Sequence, residues 1–202
     1  VLAIIGDQVT NEDEDLTIDI TATDVDIATN GQTLGFSAVS SDESLVQVST
    51  TSGDGSGTGT LTFDVQENQS GTADITVTVT DSEGATDSES FTVTVISVND
   101  APVLTSIGDQ LTDEDTDKVI NLSATDVEQI DEGQTLGFSA FSSNESLVQV
   151  STTSGDGSGT GTLTFDVQDD QNGSADITVT VTDSDGATNS ETFTVTVNAI
   201  ND

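Results

Sequence analysis

Carboxylates are the side chains this sequence carries in numbers that could do chemistry. Its 38 Asp and Glu residues stand against a single basic residue, Lys118, for a formal charge of −37. They fall in short clusters, NEDED at 11–15, TDVD at 23–26, VTD at 79–81 and VND at 98–100, each with a counterpart about 102 residues later. Carboxylates mixed with loop carbonyls and amides are an oxygen-only ligand set, which suits a hard cation. Ca²⁺ accepts six to eight such oxygens in irregular geometry, whereas Mg²⁺ demands a tight octahedron, so calcium is the expected ion. The spacing is not that of an EF-hand, because NEDEDL lacks the central glycine and the distal glutamate of that loop.

Other chemistries lack their residues. With no His and no Cys there is no Ser-His or Cys-His nucleophile, no thiolate or imidazole site for zinc, and no disulfide framework. Paired carboxylates can hydrolyse glycosides, but a sugar platform needs aromatic rings, and Trp and Tyr are absent. One lysine cannot line a phosphate groove, so nucleic acid and anionic membranes are poor partners. No apolar run is long enough to span a bilayer. A non-catalytic protein is expected.

The elements that must position these carboxylates occur twice. VLAIIGDQ returns as VLTSIGDQ, TATDVD as SATDVE, and SLVQVSTTSGDGSGTGTLTFDV returns letter for letter. Roughly three-quarters of the paired positions are identical, at a period of about 102 residues. The expected domains are 1–100 and 101–202, with a junction at 99–102. The chain opens on VLAII and closes on VNAIND, while the internal junction reads SVNDAPVL, so the segment is expected to be a stretch of a longer tandem array.

Within each copy, apolar residues alternate with polar ones in short runs bounded by Gly, Asn, Asp and Ser, the pattern of strands with one buried face. In the first copy strands are predicted near 1–9, 16–22, 34–40, 45–51, 59–66, 73–80 and 90–98, with no helical periodicity anywhere. Inward positions include Leu16, Ile18 and Ile20, then Leu61, Phe63 and Val65, then Ile75, Val77 and Val79. The fold class is therefore all-β: two tandem seven-stranded immunoglobulin-like sandwiches in an end-to-end array. The outward threonines of ITVTVT and FTVTVT suit a solvent-facing strand. SGDGSGTGT precedes a strand rather than a helix, so it is read as a mobile turn and not as a phosphate loop.

If consecutive strands run up and down, one pole of the first copy collects Glu12, Asp13, Asp42, Glu43, Glu67 and Asp100, and the other collects Asp24, Asp26, Asp54 and Asp81. The matching pole of the second copy holds Asp126, Glu128, Asp156 and Asp183, and the linker Asn99–Pro102 is too short to keep the two sets apart. Two like charges 4 Å apart repel by about 1 kcal/mol in water and about 4 kcal/mol at an effective dielectric of 20. A calcium ion at the joint reverses the sign of that interaction. Outward acids such as Asp19, Asp64 and Asp74 are read as merely solvated.

The order NEDED, TATDVD, VTVTDSEGA, SVNDAP resembles the cadherin and cadherin-like repeats, including bacterial immunoglobulin-like versions found in tandem in large surface adhesins. The resemblance covers both copies. It implies interdomain calcium held by Glu12, Glu67, Asn99 and Asp100 from one side and by Asp126, Glu128 and Asp183 from the other. It also implies half-sites at the two ends, Asp24, Asp26 and Asp81 at one and Glu114, Asp169, Asn201 and Asp202 at the other. The linker NDAP departs from the family's D-x-N-D-N, and the acidic motif after the fifth strand is reduced to QEN or QDD, so fewer ions than in a full cadherin joint are expected.

The function expected on these grounds is an extracellular or cell-surface, calcium-stiffened spacer whose partners are neighbouring copies of the same repeat. A calcium-dependent module that binds polysaccharide or a partner adhesin is the alternative, with Phe141, in place of Val39 at an outward position, as the aromatic to examine. A third possibility is a halophilic surface protein whose acids serve hydration alone.

Overall fold

The computed structural model describes residues 1–27, 31–131 and 133–201. They form two units, Val1–Val98 and Asn99–Asp202, so the linker residues Asn99 and Asp100 group with the second unit rather than with the first.

The first unit contains β1 (Gln8–Asn11), β2 (Leu16–Thr21), β3 (Leu34–Ser40), β4 (Val46–Ser52), β5 (Thr58–Val65), β6 (Gly71–Asp81) and β7 (Thr86–Ile96). One sheet has the order β1-β7-β6-β3 and the other β2-β5-β4. The second unit repeats this with β8 (Val103–Leu104), β9 (Gln110–Asp113), β10 (Lys118–Thr125), β11 (Gly137–Ser142), β12 (Val148–Ser154), β13 (Thr160–Val167), β14 (Gly173–Thr182) and β15 (Thr188–Asn198). Its sheets run β9-β15-β14-β11 and β8-β10-β13-β12. A single helical turn, α1 (Glu128–Asp131), lies between β10 and β11. It is too short for periodicity to reveal. Among the described residues no helix is long and apolar enough to cross a membrane.

Alternation named the core correctly. Leu61, Phe63, Ile75, Val77 and Val93 are fully buried, as are their counterparts in the second unit, Leu163, Phe165, Ile177, Val179 and Val195. Phe63 meets Phe91 edge to face at 6.2 Å, and Phe165 meets Phe193 at the same 6.2 Å. Asp19, Asp64 and Asp74 are exposed, as outward positions should be.

The first predicted strand is instead divided between the sheets. Leu2 bridges antiparallel to Ala22, and β1 then pairs parallel with β7. In crossing over, the segment leaves the ladder, and carboxylates on and beside β7 take up its free amides. Asp87 Oδ2 accepts from Leu2 N at 2.8 Å, Glu89 Oε2 from Ile5 N at 2.9 Å, and in return Asp7 Oδ1 accepts from Thr92 N at 2.9 Å. These acids are part of the sandwich, because a backbone donor left without a partner there would cost about 1–3 kcal/mol.

The SGDGSGTGT turn is also pinned rather than free. Ala22 N donates to Gly57 O at 2.8 Å, Leu34 N to Gly55 O at 3.0 Å and Gly53 N to Thr58 O at 2.8 Å. Gly57 has φ of +90°, and a Cβ there would strike the Ala22 carbonyl, so the glycine lets the turn fold down onto the end of the sandwich. In the second unit Ala124 N and Gly159 O, and Leu136 N and Gly157 O, repeat the arrangement. This closed end carries the candidate site.

Candidate metal centre

Strand parity delivers the acids of the second unit to one rim. Along β14, Ile177, Val179 and Val181 point inward, and the next inward position is Asp183. Along β10 the inward series Leu122, Ala124 continues to Asp126. Both aspartates therefore stand over the core at strand ends, with 5% and 8% of their surface exposed. They continue the apolar stripe rather than lying outside it. Glu128, at the start of α1, is 4% exposed.

Each carboxylate is engaged differently. Asp183 Oδ1 accepts the amides of Asp185, Gly186 and Ala187 at 2.9, 2.6 and 2.8 Å, and its Oδ2 accepts Asn99 Nδ2 at 3.0 Å. Burial opposes the charge of Asp183, but the bonds from Asn99 and the three amides outweigh it and hold the carboxyl below the ordinary range. Asp126 Oδ1 accepts Glu128 N at 3.1 Å, while its Oδ2 is buried with nothing donating to it. Glu128 Oε2 accepts Asp100 N at 3.4 Å. Burial raises the Glu128 carboxyl above its usual value, and the neighbouring Asp126 carboxylate pushes the same way.

Two residues absent from the expected ligand set belong to this rim. Gln134 is 8% exposed; its Nε2 donates to Asn99 Oδ1 and, at 3.0 Å, to Asp185 Oδ2, and its Oε1 is buried without a donor. Asp185 sits in the β14–β15 turn. Gln134 lies in the β10–β11 connection and continues the inward parity of Leu136 and Phe138, which is the signal that would have found it. A cavity of about 200 Å³ lined by Ala101, Thr125, Asp126 and Val127 opens at the same end. Lys118 brings no countercharge here, since its Nζ donates to Leu111 O at 2.9 Å.

The donor set fits a hard cation chemically: Asp100, Asp126, Glu128, Asp183 and Asp185 supply carboxylate oxygens, and Asn99 and Gln134 supply amide oxygens. Two of those oxygens, Asp126 Oδ2 and Gln134 Oε1, are buried acceptors without donors. Among the described residues, however, no group of three or more acidic side chains is already arranged so that it could hold a metal ion. The rim is a set of ligands partly turned to backbone amides, not a finished cage.

The remaining predicted ligands divide. Glu12 is buried at 4% exposure and closes the far end of its own unit, its Oε1 accepting Val98 N at 2.7 Å. Glu114 does the same in the second unit, accepting Ile200 N at 2.8 Å. Glu67 and Asp169 are exposed, and Glu67 lines a cavity of about 800 Å³ with Asp13, Asp15, Asp64 and Asn68. In the first unit Asp24 and Asp81 come together around a cavity of about 490 Å³, while Asp24 Oδ1 accepts Asp26 N at 2.8 Å. Asp81 Oδ1 accepts the amides of Glu83 and Ala85 at 2.9 and 2.8 Å. Asn201 is exposed, and Asp202 lies outside the described residues. Asp54 and Asp156 are exposed in their pinned turns, each held below the usual carboxylate range first by the hydroxyl of the serine two residues on and then by its amide.

Comparison with solved structures shows the same sandwich. Protocadherin gammaB7 EC3-6 matches over 100% of this chain and 48% of its own at 18% identity and a TM-score of 0.53. Protocadherin gamma B2, extracellular cadherin domains 3–6, matches over 100% and 47% at 13% identity and a TM-score of 0.54. The human desmocollin-1 ectodomain matches over 97% and 36% at 17% identity and a TM-score of 0.46. The chain thus spans about half or less of the length of these structures. Comparison with curated protein sequences gives no match. The family model described as Bacterial Ig domain matches residues 2–94 and again 99–196, once for each unit, and with the split first strand and paired sheets already seen in both, the chain belongs to the bacterial Ig domain family.

Proposed function

We propose that this chain is a non-catalytic spacer segment of an extracellular adhesin or cell-surface filament, whose successive repeats are stiffened by calcium. Bacterial Ig repeats are typical of surface proteins, which accords with that setting. The observation that carries the reading is the buried Asp126–Glu128–Asp183 rim, to which Asn99 and Asp100 are tied and in which Asp126 Oδ2 is unsatisfied. Glu12 accepts the Val98 amide, and Asp183 accepts the side-chain amide of Asn99, the next residue along the chain.

Asp100, Asp126, Glu128 and Asp183 would hold the ion, with Asn99 beside them and Glu12 and Glu67 as the donors proposed from the preceding repeat. A bound calcium would supply positive charge and take its oxygen ligands from these side chains and from water. The chain's own residues do the rest: Asp183 fixes the turn that follows β14, Glu128 holds the linker amide, and burial keeps water from screening the carboxylates. Extracellular sites of this class fill at Kd on the order of 10⁻⁴ to 10⁻³ M.

The test is a calcium titration at constant ionic strength, followed by thermal unfolding and small-angle scattering. At a hundred times Kd the stabilisation is about 2.7 kcal/mol, and the distribution of end-to-end distances narrows. The double variant Asp126→Asn, Glu128→Gln should lose both responses, while Asp74→Asn, on an exposed strand face, keeps them. If a chelator changes neither melting nor scattering, the calcium reading fails.

A further inference from the structure

We infer that Gln134 is a positioning residue that latches the linker onto the second unit, whether or not a cation is present. Its Nε2 reaches two partners that the chain separates widely, Asn99 Oδ1 in the linker and Asp185 Oδ2 in the β14–β15 turn. Asn99 is thereby gripped on both faces of its amide, since its own Nδ2 donates to Asp183 Oδ2 at 3.0 Å. Three elements that meet at this rim are joined through one buried side chain, and Gln134 N reaches back to Glu128 O at 3.5 Å in the same connection.

The choice of residue follows from charge. A lysine or arginine could bridge Asn99 and Asp185 but would oppose a cation at the rim. A glutamate could not donate and would add a charge beside Asp185. A glutamine donates to both partners and leaves a neutral oxygen, Oε1, buried and unused. For its purpose the latch rests on the spacer reading, since it fixes where Asn99 and Asp100 stand before any ion arrives. Its own bonds are protein to protein, so it is testable without metal.

The experiment is hydrogen exchange by NMR on the whole two-unit chain in a chelator, reading the Asn99 side-chain amide and the Asp100 backbone amide. In Gln134→Ala and in Gln134→Met, which keeps the length and loses the donor, both signals should exchange at least about tenfold faster, while the core amides of Val179 and Val195 do not change. In an Asn99→Ala background, Gln134→Met should produce no further acceleration at Asp100, because the partner is already gone. Unchanged exchange at Asn99 and Asp100, or acceleration shared equally by Val179 and Val195, overturns the latch. A separate calcium titration of the parent chain keeps the two ideas apart: slow exchange without calcium binding sinks the metal reading alone.

Discussion

Asp183→Asn should destabilise the second unit by an amount that can be worked out from four hydrogen bonds. One carboxylate accepts Asn99 Nδ2 at 3.0 Å and the amides of residues 185, 186 and 187 at 2.9, 2.6 and 2.8 Å. Asparagine keeps a single acceptor oxygen. If that oxygen serves the three amides, the new NH₂ faces the NH₂ of Asn99; if it serves Asn99, the NH₂ faces three N–H groups. Either way a buried donor loses a charged acceptor, at about 1.5–3 kcal/mol. Taking about 2 kcal/mol, and 4–8 °C per kcal/mol for a domain of this size, Tm should fall by about 8–16 °C in calorimetry with a chelator at pH 7. The pH dependence has a definite sign. Because the folded carboxyl is held below its unfolded value of about 3.9, its contribution is complete above that value and is lost as pH falls through the lower folded one. The gap between parent and variant should therefore close as pH drops below about 4. Asp81→Asn, at the equivalent place in the first unit but accepting, among the described residues, the amides of Glu83 and Ala85, should cost less than half as much. A variant melting within about 1 °C of the parent at pH 7 would refute the reasoning.

Glu128→Gln should raise the melting temperature without calcium by a few degrees and abolish the rise with calcium, checked by paired melts; since the folded carboxyl is raised, its ionisation weakens the unit as pH climbs through that value, so the parent alone should gain stability as pH falls from neutral toward the ordinary Glu value of 4.5. Gly161→Ala places a Cβ against the Thr153 carbonyl and the Phe138 ring, and should cost about 3 kcal/mol or more, read by denaturant unfolding. Phe141→Val, at a site 62% exposed, should change stability by no more than about 0.5 kcal/mol. A glycan array comparing that variant with the parent tests polysaccharide binding, and loss of a glycan signal would move the function toward recognition.

The fold was legible because a half-buried sheet writes itself as alternation. Leu61, Phe63, Val65 and Ile75, Val77, Val79 allow one register, and a slip of one residue would expose them all. The first strand was not legible as divided. Leu2 and Ile5 are buried but three residues apart, an interval that breaks the period-two alternation of a strand, and the missing information was that Asp87 and Glu89, far along the chain, accept their amides. The SGDGSGTGT turn read as mobile because glycine frees the backbone in isolation. In the fold the same freedom lets the turn close on Ala22 and Leu34.

The candidate centre was legible in composition and only partly in place. Asp126, Glu128 and Asp183 were found by their clusters, and so was the linker pair Asn99 and Asp100. Gln134 was missed because a lone glutamine carries no charge signal, although its parity with Leu136 and Phe138 marks it as inward. Parity also separates two kinds of acid that composition treats alike. Asp19, Asp64 and Asp74 occupy outward phases and stay exposed, whereas Glu12, Glu114, Asp126 and Asp183 occupy inward phases just past strand ends and are buried. A carboxylate in that position loses hydration unless something replaces it. Three backbone amides and the Asn99 side-chain amide replace it at Asp183, whereas at Asp126 one oxygen stays bare. The inward acids at strand ends, not the total charge, are therefore where the proposed cation would act.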